Sequence, residues 1–230
     1  MLERPPGKND IKNLFDRLLA YYGHQHWWPA KTRFEVMTGA VLTQATSWES
    51  ASKAIANLKA SGNLSPQALE KIKEDELGIL IRPSGYYNAK ALKLKALVKW
   101  LKGSCGYDIG RLEDYDTSGL RRELLAVHGI GPETADSILL YALGRPVFVI
   151  DAYTRRIIDR LGLSPGRNGN YDSYQRLFAA NLAPDPALFN EYHALLVMHG
   201  KTFCRAKPQC KNCCVADICY SYKEHEIENE

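Results

Sequence analysis

The 230-residue sequence has no long hydrophobic run, no low-complexity linker and no large excess of either charge. No stretch approaches the roughly 18 uninterrupted apolar residues of a membrane span, and the amino terminus, MLERPPGKND, lacks the apolar core of a signal peptide. These absences predict a cytoplasmic protein with no membrane partner. Thirty basic against 26 acidic side chains leave a net charge of +4, which is compatible with a nucleic-acid partner but does not prove one.

Cysteine is scarce outside one short segment. Of six cysteines, five lie between Cys204 and Cys219, and only Cys105 stands apart. A secreted disulfide framework spreads its cysteines along the chain, so this clustering indicates metal binding in a reducing compartment. The spacing C-x5-C-x2-C-x5-C belongs to Cys204, Cys210, Cys213 and Cys219. Four thiolates at this spacing can enclose either zinc or an iron–sulfur cluster.

The composition predicts a folded, all-α protein. With 45% hydrophobic and 24% charged residues, the chain can bury a substantial core, which excludes a disordered tail, a fibre or a coiled coil. Apolar residues recur at helical spacing almost throughout, and Thr46 with Glu49 forms a capping box before one of these helices. The run PVFVI at 146–150 fits either a strand or a buried connector. The last residues, KEHEIENE at 223–230, resemble a frayed acidic tail.

A glycine-containing hairpin is the most informative segment. In LLAVHGIGPETADSILLYAL, residues 124–143, two helices are joined through Gly129 and Gly131, and Pro132 begins the second helix. Glycines let a backbone approach another surface closely, and free amides at a helix N-terminus favour an anion. Such a hairpin can hold a DNA phosphate without distinguishing base sequence. On the tripeptide alone, an ordinary helix-helix turn with a glycine cap is the favoured interpretation.

Several further motifs follow the order of a known superfamily. They are VLTQATSWESASKAI at 41–55, SGYYNAKA at 84–91, the hairpin, VIDAYTRR at 149–156 and the cysteine cluster. In this order they resemble the helix-hairpin-helix DNA glycosylases that include endonuclease III. HWWP at 26–29, RPSGYYN at 82–88 and GIGPETADSILLYA at 129–142 most closely resemble bacterial 3-methyladenine glycosylases of endonuclease III fold. The resemblance implies a DNA base-excision repair enzyme with two helical lobes, a bundle at 31–144 and a second lobe of 1–30 plus 145–222.

The resemblance makes Asp151 the catalytic residue. Cleavage of the bond between base and deoxyribose builds positive charge on the sugar, and a nearby carboxylate stabilises that charge and activates water. Without the family context, a simple helix cap is the favoured interpretation of Asp151, and the resemblance reverses this preference. Glycosylases that also cut the backbone resemble endonuclease III in carrying a lysine at the position of Glu133, where its amine forms a Schiff base. Since a carboxylate cannot form this imine, the sequence predicts a monofunctional glycosylase, unless Lys201 or another amine substitutes.

The resemblance also implies a base pocket and a DNA-contacting surface. We expect alkylated purines such as 3-methyladenine, whose positive charge favours indole faces, although a tryptophan is more often part of a core. The pocket candidates are Trp27, Trp28, Pro29, Trp48, Glu133 and Lys201. The DNA-contacting candidates are Gln44, which would fill the gap left by the extruded base, Lys90 for a phosphate, Gly129, Gly131 and Thr134. The expected partner is double-stranded DNA containing a damaged base, bound by a monomer.

The family carries a 4Fe–4S cluster at its terminal cysteines, with one more residue between the first two. The resemblance therefore implies a structural 4Fe–4S cluster on the four spaced cysteines, with zinc as the alternative and Cys214 as a competing ligand. Two other functions remain open at this point. One is an endonuclease III-like bifunctional glycosylase and lyase acting on oxidised pyrimidines. The other is a non-catalytic DNA-binding iron–sulfur protein.

Overall fold

The computed structural model describes residues 8–28, 30–166 and 169–227. Within these ranges every regular element is a helix, which confirms the all-α prediction. None of the helices in the described ranges is both long and apolar enough to cross a bilayer. Contacts divide the chain into a central unit, Trp28–Arg145, and a terminal unit that joins Met1–Trp27 to Pro146–Glu230. The chain therefore leaves the terminal unit once and returns to it once.

The helices of the described residues follow one another with short connections. In chain order the α-helices are α1 Lys8–Tyr22, α2 Arg33–Leu42, α3 Trp48–Ala60, α4 Pro66–Lys71, α5 Glu74–Ile81, α6 Tyr87–Cys105, α7 Thr117–Ala126, α8 Pro132–Ser137, α9 Ala152–Arg160, α10 Tyr171–Asn181, α11 Pro186–Thr202 and α12 Tyr220–Ile227. A π-helical stretch, Ile138–Ala142, continues α8, and short 3-10 helices lie at Arg82–Ser84, Ile109–Asp114, Cys210–Asn212 and Ala216–Ile218.

The central unit is built around α2, in which every residue except Arg33 is buried. Thr32 caps this helix, because its hydroxyl oxygen accepts a hydrogen bond from the backbone N–H of Glu35 at 3.1 Å. The buried carboxylate of Glu35 is in turn paired with the amine of Lys59 at 2.6 Å. Helices α3, α6 and α8 all contact α2. The buried α2 therefore packs against the helices that carry Lys90 and Thr134.

Helix α3 begins one residue later than the sequence predicts. The hydroxyl of Ser47, rather than that of Thr46, accepts the N–H of the residue three positions on, Ser50, at 3.2 Å. Glu49 does not complete a capping box and pairs with Lys53 at 2.7 Å. The Thr46 prediction was wrong because two hydroxyl residues stand side by side, and either could cap a helix here. Trp48 consequently occupies the first position of α3.

The run at 146–150 is a buried connector and not a strand. Its backbone groups are satisfied by side chains, since the amide of Gln175 donates to the Phe148 carbonyl at 2.9 Å and Ile150 N–H donates to the hydroxyl of Tyr171 at 3.3 Å. The ring of Phe148 stacks on that of Phe178 with centroids 3.8 Å apart. The connector therefore enters the core of the terminal unit directly before Asp151.

The predicted acidic tail is partly helical. Helix α12 ends at Ile227, so the first five residues of 223–230 continue a helix that begins at Tyr220. Gly162 explains why this helix lies against the end of α9. A side chain at Gly162 would come within 3.0 Å of the Cβ of Tyr220, so only glycine permits this close packing. The last three residues of the predicted tail lie outside the described residues.

Candidate functional site

In the hairpin between α7 and α8, contacts within the protein require glycine at position 129 but not at position 131. Gly129 has a φ of +78°, which disfavours any side chain, and a Cβ there would meet the Cγ of Lys93 at 2.3 Å. Gly131 has an ordinary extended φ of −92°, and no atom lies within 4 Å of the position of its missing Cβ. No contact within the protein therefore requires glycine at position 131. Gly131 lies at the surface, so an external group has room to approach its backbone.

A buried ion pair holds the two helices of the hairpin together. The guanidinium of Arg121 on α7 donates to both carboxylate oxygens of Asp136 on α8, at 2.8 and 3.1 Å. Asp136 is fully buried, so the paired geometry satisfies a carboxylate that would otherwise be costly to bury. The N-cap position of α8 is Gly131, which supplies no side-chain cap. Glu133 lies exposed in the first turn of this helix.

Three of the predicted DNA-contacting residues lie together. The side-chain amide of Gln44 donates to the Gly129 carbonyl at 3.1 Å and to the hydroxyl of Thr134 at 2.9 Å. The carbonyl oxygen of the same side chain accepts from the amine of Lys93, whose stem crosses Gly129. Gln44 therefore ties the turn after α2 to the hairpin. Its predicted entry into the gap left by an extruded base stays a prediction.

The predicted phosphate contact of Lys90 does not agree with the structure. Lys90 is only 2% exposed, and its amine donates to the backbone carbonyls of Leu42 at 2.9 Å and Ser84 at 2.6 Å. Burial lowers the pKa of this amine to about 8. The amphipathic pattern of 88–102 indicated one solvated lysine face, but Lys90 lies on the opposite side of α6. A buried amine with two internal acceptors cannot meet a phosphate without leaving both.

An aromatic cluster of the central unit includes two of the predicted pocket residues. The ring of Trp28 lies 5.2 Å from that of Trp48 and 5.1 Å from that of Tyr141. Gly39 on α2 makes room for this arrangement, because a Cβ there would come within 3.0 Å of the Trp28 ring. Tyr141 belongs to the π-helical stretch after α8 and was missed, since its place in an apolar run gives no functional signal. π-helical segments often occur at functional sites.

Two further pocket candidates, Trp27 and Lys201, lie together in the terminal unit. Trp27 lies 5.8 Å from the amine of Lys201, measured to the ring centroid, which is a cation–π distance. The loop before Trp27 is anchored to α11, because the backbone N–H of Gln25 donates to the carboxylate of Glu191 at 2.7 Å. Trp27 and Lys201 are therefore neighbours in the terminal unit, and their role in a base pocket stays a prediction. Pro29 lies outside the described residues.

Asp151 is the N-cap of α9, which agrees with its interpretation as a helix cap. Its carboxylate accepts the backbone N–H of Thr154 at 2.7 Å, and its second oxygen lies 3.6 Å from the Nε2 of His193 on α11. The side chain is 12% exposed. Burial alone would raise the pKa of Asp151, but the adjacent His193 and the Thr154 N–H outweigh it and lower the pKa below the usual carboxyl range. The carboxylate is therefore ionised at neutral pH.

His193 is the residue at this site that sequence analysis missed. It lies 42 positions from Asp151, and no local motif links the two residues. His193 is nearly buried on α11, the same helix that carries Glu191 and Lys201. Helix α11 therefore supplies the partner of Asp151, the anchor of the Trp27 loop and the amine beside Trp27. Only the packing of α9 and α11 against each other brings these groups into one unit.

The four spaced cysteines surround a single cavity. Cys204, Cys210, Cys213 and Cys219 all line a space of about 330 Å³ beside α9, whereas Cys214 does not line it. Within the described residues, no three cysteine, histidine or carboxylate side chains are preformed around one ion position. Burial and the neighbouring thiols raise the pKa of Cys213 to about 11. Burial also raises the pKa of Cys210. A bound cationic group would favour the thiolate forms at such a site.

Side chains of α9 and α11 contact the cysteines of the cavity. The guanidinium of Arg160 contacts the Cys204 sulfur at 3.4 Å, and the Cys219 thiol donates to the Arg160 carbonyl. His199 is buried and lies 3.7 Å from the Cys213 sulfur through its Nε2, while its Nδ1 meets the hydroxyl of Tyr22 at 3.0 Å. Hydrogen bonds of this kind orient and tune the sulfur ligands of a metal group.

These elements agree with the comparisons with known proteins. The family model described as HhH-GPD superfamily base excision DNA repair protein matches residues 38–183. The chain therefore belongs to the HhH-GPD superfamily of base excision DNA repair proteins. A Methanocaldococcus jannaschii protein, provisionally named a DNA repair glycosylase, is 48% identical over 212 residues, which span 92% of this chain and 96% of that protein.

Solved structures give the same result for the fold. The H. pylori 3-methyladenine DNA glycosylase bound to 1,N6-ethenoadenine has a TM-score of 0.74 at 27% identity and covers 85% of this chain and 98% of its own. A non-covalent endonuclease III–DNA complex has a TM-score of 0.81 at 20% identity, with 96% and 99% covered. At that identity the second likeness concerns the fold alone. Together the matches confirm the resemblance to endonuclease III-like helix-hairpin-helix glycosylases, a family of DNA repair enzymes.

Proposed function

We propose that the protein is a monofunctional DNA N-glycosylase that hydrolyses the bond between an alkylated purine and deoxyribose. The observation that carries the catalytic part is the ionised carboxylate of Asp151, held by the Thr154 N–H and His193. Positive charge develops on the sugar as the base departs, and a fixed carboxylate stabilises that charge and orients the attacking water. Water supplies the hydroxyl at C1′ of the sugar and releases its other proton to solvent. The cationic base takes the electrons of the broken bond and leaves as a neutral molecule.

The monofunctional assignment is supported by Glu133. A lyase that follows the endonuclease III pattern needs an amine at this position, and a carboxylate cannot attack C1′ to form an imine. Glu133 lies exposed in the first turn of α8, where its charge also favours the helix N-terminus. The expected product is therefore an abasic site in an intact strand.

The choice of alkylated purines is supported by the aromatic cluster of the central unit. Trp28 presents its ring with Trp48 and Tyr141 at distances suited to aromatic contacts. An alkylated purine carries positive charge, which strengthens its attraction to indole faces relative to an undamaged base. The 27% identical H. pylori structure, whose protein is a 3-methyladenine glycosylase, favours the same substrate class.

DNA binding is assigned to the hairpin and its neighbours. The backbone at Gly131 is open to an approaching phosphate, and the Gln44 side chain is already fixed beside Gly129 and Thr134. Phosphate contacts of this kind position a duplex without specifying sequence. We assign double-stranded DNA with a damaged base as the partner, bound by a monomer.

We assign a 4Fe–4S cluster to the cysteine cavity, held by Cys204, Cys210, Cys213 and Cys219. Endonuclease III homologues generally carry such a cluster, and the cavity places four thiols around one space. With a cysteine for each iron, no coordination position remains for substrate, so the cluster supplies structural cross-linking. Iron and acid-labile sulfide in the purified protein would support this assignment, whereas one zinc ion and no sulfide would replace it.

The direct test is base release from duplexes that each carry 3-methyladenine, 7-methylguanine, thymine glycol or a G·T mismatch. We expect release of the alkylated purines, and a loss of about a hundredfold or more in Asp151→Asn, because asparagine still caps a helix but has no charge. Asp185→Asn is the matched control, since Asp185 caps α11 in the same way through the Ala187 N–H at 2.8 Å. Release of thymine glycol alone, or full activity in Asp151→Asn, contradicts the proposal.

One observation favours a bifunctional alternative. Lys201 is an exposed amine beside the Trp27 ring, and it could attack the sugar in place of the missing lysine. Borohydride would then trap a covalent adduct with damaged DNA, and the adduct would disappear in Lys201→Met. We expect no adduct in the wild-type protein. Tight binding to damaged DNA without any base release would instead indicate a non-catalytic protein.

A further inference from the structure

A buried histidine contacts one cysteine of the proposed cluster site from inside the protein. His199 lies on α11, is only 1% exposed and lines the cysteine cavity. Its Nε2 lies 3.7 Å from the sulfur of Cys213, and its Nδ1 lies 3.0 Å from the hydroxyl oxygen of Tyr22, the last residue of α1. Both ring nitrogens are therefore engaged, one with the cavity and one with a neighbouring helix.

The direction of these two hydrogen bonds follows from the chemistry of a ligated cysteine. A sulfur that ligates iron is a thiolate, so it has no proton and can only accept a hydrogen bond. Nε2 of His199 must then carry the ring proton, because two lone pairs that face each other in a buried site repel. A neutral imidazole with its proton on Nε2 has an acceptor at Nδ1. The hydroxyl of Tyr22 is the donor to that acceptor.

Tyr22 is suited to this donor role. Burial raises the pKa of its hydroxyl above the usual tyrosine range, so the proton stays on the oxygen at neutral pH. A partner on one ring nitrogen selects the tautomer and orients the ring, as it does for histidines at metal sites. A turn of the His199 ring would break the bond with Tyr22. The N–H group of His199 is therefore held towards the sulfur of Cys213.

An N–H group directed at a ligand sulfur changes how readily the ligated group accepts an electron. One-electron reduction adds negative charge to a cluster and its sulfurs, and a fixed donor stabilises that added charge. The stabilisation is larger in a buried site, because the effective dielectric constant there is lower than in water. A donor at this place should thus favour the more reduced of two oxidation states.

We propose that His199 donates a hydrogen bond to the Cys213 ligand, that Tyr22 holds His199 in this orientation, and that the contact raises the reduction potential of the cluster. The inference rests on the proposed function, because it assumes the 4Fe–4S cluster assigned to the cysteine cavity. His199 and Tyr22 are positioning residues outside the ligand set. They give the protein control over the oxidation state of a cluster whose ligands are all cysteines.

A second tyrosine joins the same two helices and provides the control. The hydroxyl of Tyr192 on α11 donates to the backbone carbonyl of Ile11 on α1 at 2.8 Å. This buried bond links α1 to α11, as the Tyr22 contact does, but neither Tyr192 nor Ile11 lines the cysteine cavity. If Tyr22 only stabilised the packing of α1 against α11, removal of either hydroxyl would have the same kind of effect.

The test begins with two replacements of His199 in the cluster-loaded full chain. We would measure iron and sulfide content, thermal unfolding and the one-electron reduction potential in a mediated electrode titration. A glutamine amide reaches the position of Nε2, whereas an asparagine amide reaches only that of Nδ1. His199→Asn should therefore lower the potential enough to shift the ratio of reduced to oxidised cluster about tenfold, which is about 59 mV for one electron. His199→Gln should keep most of the wild-type potential.

The two tyrosine variants complete the test. Tyr22→Phe and Tyr192→Phe should both unfold at lower temperature, since each loses a buried hydrogen bond between α1 and α11. Tyr22→Phe should also lower the potential, in the same direction as His199→Asn, because the imidazole is no longer held in place. Tyr192→Phe should keep the wild-type potential.

Three results would overturn the inference. They are an unchanged potential in His199→Asn, equal shifts in His199→Asn and His199→Gln, and equal potentials in the two tyrosine variants. The tyrosine pair decides the matter if His199→Asn does not retain iron. Failure of the proposed function is distinguishable. Wild-type protein with zinc and no sulfide would refute the cluster assignment and this inference with it, whereas a loaded protein that releases no base would refute only the catalytic proposal.

Discussion

At the scale of single residues, the charge of Asp151 depends on two contacts of different kinds. The Thr154 N–H comes from the helix that Asp151 itself caps, whereas His193 comes from α11. Both favour the ionised carboxylate, and together they overcome the opposing effect of burial on its pKa. A carboxylate that stays ionised well below neutral pH is available throughout the physiological range.

This pKa has a consequence for the pH dependence of base release. Because the folded pKa lies below the usual carboxyl value, ionised Asp151 stabilises the fold above about pH 4, and this contribution is lost as pH falls through the lower folded pKa. The rate of base release with saturating enzyme should therefore show no acid limb from Asp151 between pH 7 and 5. Single-turnover rates across that range measure this directly.

His193→Gln is the matched variant for the pH profile. It removes the imidazole beside the carboxylate but keeps the Thr154 contact, so the acid limb of Asp151 should move to higher pH. An unmoved limb in this variant, or a wild-type limb near pH 6, would contradict the assignment of His193 as the group that holds Asp151 ionised.

The N-cap position of Asp151 was predictable from its local sequence, whereas its contact with His193 was not. For Lys90, the sequence predicted the helix that carries the residue but did not predict that its side chain is buried. Whether a lysine reaches solvent depends on which helices surround it, and α2 and the Ser84 turn are distant in sequence. Local patterns contain no information about such contacts.

At the scale of elements, the two glycines of the hairpin make a matched pair. Gly129→Ala should destabilise the protein by about 1–3 kcal/mol, because the left-handed backbone and the Lys93 stem both exclude a methyl group. Gly131→Ala should leave stability within about 0.5 kcal/mol, because its backbone is ordinary and its surroundings are open. Thermal unfolding separates the two effects.

The same pair tests the hairpin as a phosphate site. If a DNA backbone approaches Gly131 closely, the added methyl group in Gly131→Ala should weaken binding to an abasic-analogue duplex by about tenfold without loss of stability. Wild-type affinity in this variant would mean that the duplex does not contact the backbone at this point.

Helical periodicity predicted the elements well, because buried and exposed faces alternate visibly along α1, α3 and α6. It could not decide between a strand and a connector where backbone groups are satisfied by side chains distant in sequence. The connector at 146–150 has an apolar run that suits a strand, yet Gln175 and Tyr171 supply its hydrogen bonds. The start of α3 was displaced by one residue because Thr46 and Ser47 compete as caps.

At the scale of the whole molecule, the proposed cluster is a cross-link of the terminal unit. The segment from Cys204 to Cys219 buries only one of its residues, Val215, so it has almost no core of its own. Arg156 and Arg160 of α9 attach it by hydrogen bonds to backbone carbonyls at 204–206. Metal ligation would therefore supply most of the remaining restraint on this segment.

Removal of the cluster should thus have a local effect. After chelation of iron, amides at 204–219 and in α9 should exchange with deuterium faster, whereas those in α2 and α6 of the central unit should keep their protection. Cys213→Ser should lose iron and reproduce this pattern, because Cys213 lines the cavity. Cys214→Ser is the control and should retain iron, because the neighbouring residue lies outside the cavity lining. Equal loss of protection in both units would mean that the cysteine segment supports the fold of the entire chain rather than one unit.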